Sequence, residues 1–420
     1  MHSPMGNEDQ NPILSKLNQL MIRGGSSHAQ IKMAHFFNFF MLIVGLSLGV
    51  IVIYITSFCY VRVSIPTPMH IEILIGSISD HHPDLPPPQA PPLLPPDSHL
   101  GLAGGVQAID HREKVSRMHS MSDAELLSRA VMIRGMEPLE PSHGDASLPK
   151  VAFMFLTSRA VHLSPIWEKF FRGHQGLYSI YWHAHPSYED SMPVDSVFYG
   201  TRIPSQEVQW GTSSMMDAEK RLLANALLDP SNQRFVLLSE SCIPLFDFKT
   251  VYSYLTNTNL SFQASFDDPR KSARGRYNPK MAPTINVTDW RKGSQWFELN
   301  RDLANLVVSD QNYYRVFQEH CRPPCYVDEH YIPTLLNILR PASNSNRTVT
   351  WVDWSRGGPH PGKFGWDDMT DEFLDSIRFG SNCRYNGNVT SKCFLFARKF
   401  LPSALEQLLR ILPVLLGLDP

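Results

Sequence analysis

Two adjacent carboxylates, Asp328 and Glu329, are the residues of this 420-residue chain with the clearest potential for chemistry. They follow CRPPCYV, in which two cysteines enclose Arg-Pro-Pro, and they precede HYIPTLL, which is typical of a helix. A carboxylate at a helix start is common as a cap, because it accepts hydrogen bonds from free backbone amides. A glutamate held in a defined position can also take a proton from a hydroxyl group. We therefore consider Glu329 the leading candidate for a catalytic base.

A second group of candidates is cationic. Arg398 and Lys399 follow the apolar run CFLFA and precede a helix-like segment. Two cations held there would stabilise negative charge on a leaving group, and a solvated basic pair is the alternative. The basic segment 267–281, DDPRKSARGRYNPKM, contains Arg276 and is either an acceptor- or phosphate-binding loop or a charged surface loop.

The familiar phosphate-binding and metal-binding motifs do not occur in the sequence. It contains neither GxGxxG nor GxxxxGK[ST], and it contains no Asp-x-Asp, the triplet that holds a divalent ion in many lumenal nucleotide-sugar enzymes. His183 and His185 would share one face of a strand, but no third metal ligand at a suitable spacing is evident. We predict no metal site and no cofactor, so that cations of the chain itself must neutralise a leaving diphosphate.

The elements that must position these residues alternate between strands and helices from residue 150 onward. Strands are predicted at 150–158, 177–186, 196–200 and 234–241, with a further strand in SQWFEL (294–299). Helices are predicted at 214–228 and 246–256, and a helix that carries Trp167, Phe170 and Phe171 is predicted between the first two strands. This alternation predicts an α/β fold with a mostly parallel sheet, in which ligands bind at the carboxyl ends of the strands. Residues 157–158, 183–185 and 239–241 are expected along that edge.

The N-terminal part predicts a membrane anchor. Residues 36–60 form an apolar segment long enough to cross a bilayer, and its length and position argue against a cleaved signal peptide. Lys16, Arg23 and Lys32 precede it, which predicts a cytosolic tail (1–35) and a lumenal C-terminal part, a type II topology.

The next segment, 61–147, is predicted to be a stem. Its part 81–97 is so rich in proline that it favours an extended conformation; a ligand for an SH3-type domain is the less favoured alternative. A helix is predicted from 121–130, with Ser122 and Glu125 in a capping-box pattern. Residues 148–420 are long enough for one sizeable domain. The net charge of −2 argues against nucleic acid as a partner.

The cysteines and sequons are compatible with a lumenal domain. Five cysteines follow the predicted span, so disulfides are permitted and one thiol is left over: Cys242, Cys321, Cys325, Cys383 and Cys393. Cys242 lies in an apolar run and is the candidate for a buried free thiol. Asn-x-Ser/Thr sequons occur at Asn259, Asn286, Asn346 and Asn388.

Several blocks of sequence, in order, resemble the plant branch of the core-2/I-branching β-1,6-N-acetylglucosaminyltransferase family. They are IWEKFFRGHQGLYSIYWHAHP, LLSESCIPL, GRYNPKM, RKGSQWFELNRDLA, VDEHYIPTLL and CFLFARKF. The resemblance spans roughly residues 150–410 and implies a GT-A-like fold, an inverting mechanism and no metal requirement. It assigns the catalytic base to Glu329 and a diphosphate contact to Lys399. For a second diphosphate-binding arginine, Arg398 and Arg384 are alternatives.

The resemblance also implies roles for other residues. Thr157 and His183 lie where the uridine contacts of the family cluster, although the family has an aspartate at the latter place. Trp351 and Trp354 resemble an aromatic acceptor platform, with buried core tryptophans as the alternative, and Arg276 is a further acceptor candidate. A disulfide between Cys383 and Cys393 and an unpaired cysteine at Cys242 have counterparts in the family.

The resulting functional hypothesis is a Golgi membrane glycosyltransferase. It would move a sugar, N-acetylglucosamine or glucuronic acid, from a UDP-sugar to a hydroxyl of a glycan or glycoprotein acceptor. The alternative is a catalytically silent membrane glycoprotein of the secretory pathway that binds glycans or acts as a scaffold.

Overall fold

The computed structural model describes residues 116–133, 148–189, 191–358 and 360–417. All of them belong to the compact unit Gly105–Pro420. The predicted cytosolic tail, the predicted membrane segment 36–60 and most of the predicted stem lie outside the described residues. Within the described part of the chain, no helix is both long and apolar enough to cross a membrane.

The strands are short apart from three in the central sheet. In chain order they are β1 (Lys150–Leu156), β2 (Tyr178–His183), β3 (Asn232–Ser239), β4 (Ile243–Pro244), β5 (Glu298–Asn300), β6 (Thr350–Val352), β7 (Cys383–Tyr385), β8 (Asn388–Thr390) and β9 (Phe396–Arg398). The helices are α1 (Asp123–Ile133), α2 (Ser164–Phe171), α3 (Ser213–Leu227), α4 (Phe248–Thr256), α5 (Arg301–Ser309), α6 (Asn312–His320), α7 (Val327–Leu339), α8 (Asp371–Phe379) and α9 (Leu405–Leu415).

The central sheet has the strand order β2-β1-β3-β5. Strands β1, β2 and β3 are parallel, and β5 is antiparallel to β3. The register pairs Leu156 with both His183 and Ser239, so the carboxyl ends of the parallel strands meet at one edge. The predicted α/β fold with a mostly parallel sheet is confirmed.

Helices cover both faces of this sheet because successive side chains of β1 point to opposite sides. Phe153 and Phe155 pack into one apolar cluster, which includes residues of α2, α4, α8 and α9. Ala152 and Met154 pack into another, which includes residues of α1, α3, α5, α6 and α7. A strand that is buried on both faces has a continuously apolar sequence, as β1 has.

Two smaller sheets complete the fold. One has the order β4-β9-β6, and its parallel pair β6·β9 places Val352 beside Arg398. The other is the hairpin β7-β8, in which Cys383 pairs with Thr390. The mixed sheet therefore fixes the end of β9, where the predicted basic pair lies.

Helix α1 belongs to the folded unit although it lies within the predicted stem. Its Leu126 and Ala130 are buried in the cluster below the central sheet, and Asp123 forms an ion pair with Arg221 of α3 at 2.7 Å. The Ser122 hydroxyl accepts a hydrogen bond from the Glu125 amide, as the capping pattern predicted. The folded region thus extends beyond the predicted boundary at residue 148.

Two of the predicted strands differ from the structure. Residues 196–200 form turns, with the Tyr199 amide donating to the Ser196 carbonyl, because the chain pairs with β2 only further on, at Arg202. In the segment 294–299, strand geometry begins only at Glu298. In the segment 294–299, the apolar pattern that predicted a strand reflects the burial of side chains in the core.

Candidate active site

Glu329 lies in the first turn of α7, at the end of a loop closed by a disulfide. Cys321 and Cys325 are bonded across the Arg-Pro-Pro segment, and α7 begins directly after Tyr326. The helix has no side-chain cap, and the Glu329 carboxylate contacts other side chains instead. Its Oε2 accepts hydrogen bonds from Arg276 Nη1 at 2.6 Å and from Lys292 Nζ at 2.5 Å. The capping role considered above therefore does not describe Glu329.

These two cations determine the charge state of the Glu329 carboxylate. Its side chain is 24% exposed, and burial alone would raise its pKa. The Lys292 ammonium and the Arg276 guanidinium outweigh this effect, so that the pKa of Glu329 is lowered below the ordinary glutamate value. The group is ionised near neutral pH and can accept a proton from a hydroxyl that approaches it.

Gly293 allows Lys292 to reach the carboxylate. Its amide donates to the backbone carbonyl of Glu329 at 2.8 Å, which joins this segment to the start of α7. A Cβ atom on Gly293 would lie 1.8 Å from the Ala264 carbonyl oxygen and 2.7 Å from Pro333 Cγ. Only glycine permits such a close approach of three backbone segments.

Two buried acids lie behind Glu329. Burial and the charge of Glu329 raise the pKa of Asp328 to about 6, and its Oδ1 has no hydrogen-bond partner among the described residues. Glu219 of α3 is fully buried, and burial followed by the charge of Asp328 raises its pKa well above the ordinary value. Gln295 Nε2 donates to Glu219 Oε1 at 2.9 Å. The protonated form of Glu219 is therefore favoured, a feature that the sequence did not indicate.

The basic pair at the end of β9 is partly buried rather than fully solvated. The Arg398 guanidinium lies 3.9 Å from the ring centroid of Trp296, and its Nε has no hydrogen-bond partner in the described part of the chain. Burial lowers the pKa of Arg398. Burial also lowers the pKa of Lys399, and the charge of Arg398 lowers it further. Burial and crowding destabilise both charges, so an anion placed there would be strongly attracted.

Lys363 and Glu240 complete this cationic end. The Phe364 amide donates to the Lys399 carbonyl at 3.0 Å, which brings the neighbouring Lys363 close enough to lower the pKa of Lys399. Glu240, at the carboxyl end of β3, raises the pKa of Lys399 and is the carboxylate that opposes the crowded cations.

The sequence interpretation assigned no role to Lys363 or Lys292. Lys292 stands in a block that carried the family resemblance, RKGSQWFELNRDLA, which was the available signal. No local pattern marks Lys363 in PGKFGW.

One short segment connects the base and the cations. Lys292 contacts Glu329, and Trp296 lies under Arg398. Four residues of extended chain span at most about 14 Å, so the two ends of the segment are no further apart than that.

The predicted uridine contacts lie at the edge of the sheet but are engaged with protein groups. Thr157 Oγ1 accepts from Trp182 Nε1 at 2.8 Å and donates to the Arg159 carbonyl at 2.6 Å. His183 is buried, and burial followed by the charge of Arg221 lowers its pKa to about 4. The two residues are neighbours, since the Thr157 amide donates to the His183 carbonyl. Their roles toward uridine remain predictions.

The predicted acceptor residues lie in different surroundings. Arg276 contacts Glu329 directly. Trp351 of β6 is partly buried between Phe364 and Phe373, whereas Trp354 is 52% exposed. Trp354 is therefore not a core tryptophan, and Trp351 packs as one. Arg384, the alternative diphosphate ligand, is exposed on the β7-β8 hairpin.

The cysteines and sequons agree with a lumenal domain. Cys383 and Cys393 form a disulfide, as do Cys321 and Cys325, and Cys242 is free and buried. The sequon asparagines are exposed: Asn259, Asn286, Asn346 and Asn388. Among the residues that the structure describes, no group of three His, Cys, Asp or Glu side chains is placed to hold a metal ion.

Comparisons with known proteins place these features in a family. The sequence model described as "Core-2/I-Branching enzyme" matches residues 151–378. The chain is also similar to "Glycosyltransferase BC10" of Oryza sativa subsp. japonica, with 36% identity over 313 residues, which cover 64% of this chain and 76% of the relative.

An α/β domain with a carboxylate and partly buried cations at the carboxyl-end edge of its sheet, together with these matches, defines a glycosyltransferase. The chain belongs to the core-2/I-branching enzyme family.

Proposed function

We propose that this glycosyltransferase is a metal-independent, inverting enzyme of GT-A-like fold that moves a sugar from a UDP-sugar to a glycan hydroxyl. The observation that carries the proposal is the arrangement of an ionised carboxylate, Glu329, and a partly buried cation pair, Arg398 and Lys399, at the two ends of one short segment. A displacement reaction needs these two functions on opposite sides of the reacting carbon.

Each group has one task in this reaction. The acceptor hydroxyl gives its proton to the Glu329 carboxylate while its oxygen bonds to the anomeric carbon. The bond from that carbon to the diphosphate oxygen breaks on the opposite face, and UDP leaves with the electron pair. Arg398 and Lys399, with Lys363 nearby, stabilise the charge that develops on the diphosphate.

The two cations on Glu329 restrain it in the absence of substrate. Among the described residues, Arg276 and Lys292 both donate their hydrogen bonds to Oε2 rather than to Oε1. An acceptor hydroxyl therefore has a natural partner in Oε1 while Oε2 stays held. The cost is a weaker base, because the same cations lower the pKa of the carboxylate.

The remaining parts of the proposal rest on the sequence. An apolar segment at 36–60, preceded by cations, supports a single-pass type II protein of the Golgi membrane with a lumenal catalytic domain. The exposed sequons and the disulfides support the same location. The donor is proposed to carry N-acetylglucosamine or glucuronic acid, and the acceptor is a glycan or glycoprotein.

The test is the Glu329→Gln variant of the full-length protein, which keeps the shape of the side chain but removes the base. We expect sugar transfer to fall by about 10²–10⁴-fold while the protein folds normally and binds UDP. Transfer is measured with a panel of UDP-sugars against O-glycan and arabinogalactan acceptors. A variant with undiminished transfer would contradict the assignment of the base.

A matched control is Glu207→Gln, a change at an exposed glutamate outside the site, which should leave transfer unchanged. A wild-type protein that binds UDP but turns over no UDP-sugar in the panel would favour the catalytically silent alternative.

The charge assignment at the diphosphate has its own test. Because Arg398, Lys399 and Lys363 supply the positive charge, transfer should survive an excess of EDTA within about twofold. Loss of turnover on chelation, with recovery on adding Mg²⁺ or Mn²⁺, would contradict it.

A further inference from the structure

An exposed aromatic pair lies beside the proposed base, outside the residues that the sequence suggested for the acceptor. Trp210 is 61% exposed, and its ring centroid lies 5.0 Å from that of Tyr326. Tyr326 immediately precedes α7, and its carbonyl accepts the amide of Glu329 at 3.2 Å. The pair is therefore fixed to the helix turn that carries the carboxylate.

A chain of side-chain contacts leads from this pair to the base. The Arg276 guanidinium carbon lies 4.7 Å from the ring centroid of Tyr326, and Arg276 Nη1 bonds Glu329 Oε2 at 2.6 Å. Trp210 is thus two side chains away from Glu329. Arg398 and Lys399 mark the donor end of the site, so Trp210 stands at the acceptor end.

The position of Trp210 is defined by the backbone around it. The turn 209–214 is held by the Thr212 amide and hydroxyl, which both donate to the Gln209 carbonyl, and Thr212 caps α3. Gly211 has φ +80°, and a Cβ atom there would lie 3.1 Å from Tyr326 Cε1. The glycine lets the turn pack against Tyr326, and the indole of Trp210 remains mostly exposed.

An open, rigid indole beside a sugar-transfer site matches the chemistry of a sugar ring. The C–H face of a pyranose is apolar and flat, and a tryptophan presents an apolar body that loses little conformational freedom on binding. Arg276 at one side and His360, whose ring lies 6.3 Å from Trp210, at the other offer polar partners for ring hydroxyls.

We propose that Trp210 and Tyr326 form a subsite for the acceptor glycan, and that Trp210 stacks on the sugar next to the one that receives the new linkage. The separation of Trp210 from Glu329 by two side chains favours the neighbouring sugar rather than the reacting one. This inference deepens the proposed function and rests on it for the identity of the acceptor end.

The test compares Trp210→Ala, Trp210→Phe and wild-type full-length protein. Each is titrated with galacto-oligosaccharides of one, two and three residues, with binding measured directly and KM measured where transfer occurs. Wild type should bind the disaccharide about tenfold more tightly than the monosaccharide, Trp210→Ala should lose this gain, and Trp210→Phe should keep part of it. Affinity for the monosaccharide and for UDP should not change.

The control is Phe379→Ala, which removes a half-exposed aromatic ring at the end of α8 and should leave all affinities unchanged. The proposal is overturned if wild type gains no affinity with glycan length, or if Trp210→Ala keeps the gain. Failure of the proposed function shows itself separately, as the absence of UDP binding or UDP-sugar turnover in wild type.

Discussion

The two ends of the candidate site balance their charges in opposite ways. At the start of α7 one carboxylate, Glu329, takes two cations, Arg276 and Lys292. At the end of β9 the relation is reversed, since Arg398, Lys399 and Lys363 face one carboxylate, Glu240. The carboxylate of the first end is already held in two ion pairs without substrate, whereas at the second end three cations share one carboxylate.

This difference shows which end of the site is suited to bind an anion. Partners stabilise the ionised form of Glu329, and its pKa is lowered. The charged forms of Arg398 and Lys399 are destabilised by burial and by each other, and their pKa values are lowered as well. A bound diphosphate would relieve the cationic end, whereas at the base end it would meet a carboxylate.

The largest effect is expected at the cationic end. Lys399→Met removes a charge that the diphosphate needs, so transfer should fall by about 10²–10³-fold. Steady-state transfer by the full-length protein measures it. Lys249→Met, a change at an exposed lysine of α4, is the matched control and should have no effect. Equal activity of Lys399→Met and Lys249→Met would contradict the proposed role of Lys399 at the diphosphate.

A smaller effect, on pH dependence, is expected at the base end. Lys292→Gln removes one of the cations that lower the pKa of Glu329, so this pKa should rise. The base must be ionised, and the acid limb of the kcat/KM profile should therefore move to higher pH, by about one unit. Lys271→Gln in the exposed basic loop should leave the limb in place. A shift to lower pH would contradict the role of Lys292.

The smallest effect concerns stability and the buried acid behind the base. The pKa of Glu219 is raised on folding. At pH values between its pKa in the unfolded and in the folded state, Glu219 is protonated only in the folded protein, so the free energy of unfolding falls as the pH rises. The slope is about −1.4 kcal/mol per pH unit over that range. The Glu219→Gln variant lacks this pH dependence. The Tm of the variant minus the Tm of wild type should therefore increase from pH 5 to pH 8. A Tm difference independent of pH would show that Glu219 is ionised in the folded protein.

Local sequence patterns predicted the scaffold well. The continuous apolar run of β1 predicted a strand buried on both faces, and the alternation with α2, β2, α3 and β3 predicted a parallel sheet. Burial misled the interpretation at Trp296 and Phe297, whose apolar side chains pack in the core although β5 begins only at Glu298. The same pattern thus arises from two different backbone arrangements.

The site was only partly predictable, because its contacts join distant segments. Glu329 and Lys399 stand in distinctive blocks, and the disulfide loop before α7 was visible as Cys-Arg-Pro-Pro-Cys. Lys363 and Glu219 come from two other parts of the chain and carry no local mark, and Lys292 stood in a block of the resemblance without an assigned role. Only the fold shows that Arg276 and Lys292 meet on one carboxylate oxygen.

The central claim is that Glu329 and Lys399 act on opposite faces of the anomeric carbon, Glu329 on the acceptor hydroxyl and Lys399 on the leaving diphosphate. Calorimetric titration of UDP into full-length Glu329→Gln and Lys399→Met proteins tests it most directly. The account predicts a UDP affinity within about twofold of wild type for Glu329→Gln and at least about tenfold weaker for Lys399→Met. Weakened UDP binding in Glu329→Gln, or full affinity in Lys399→Met, would contradict it.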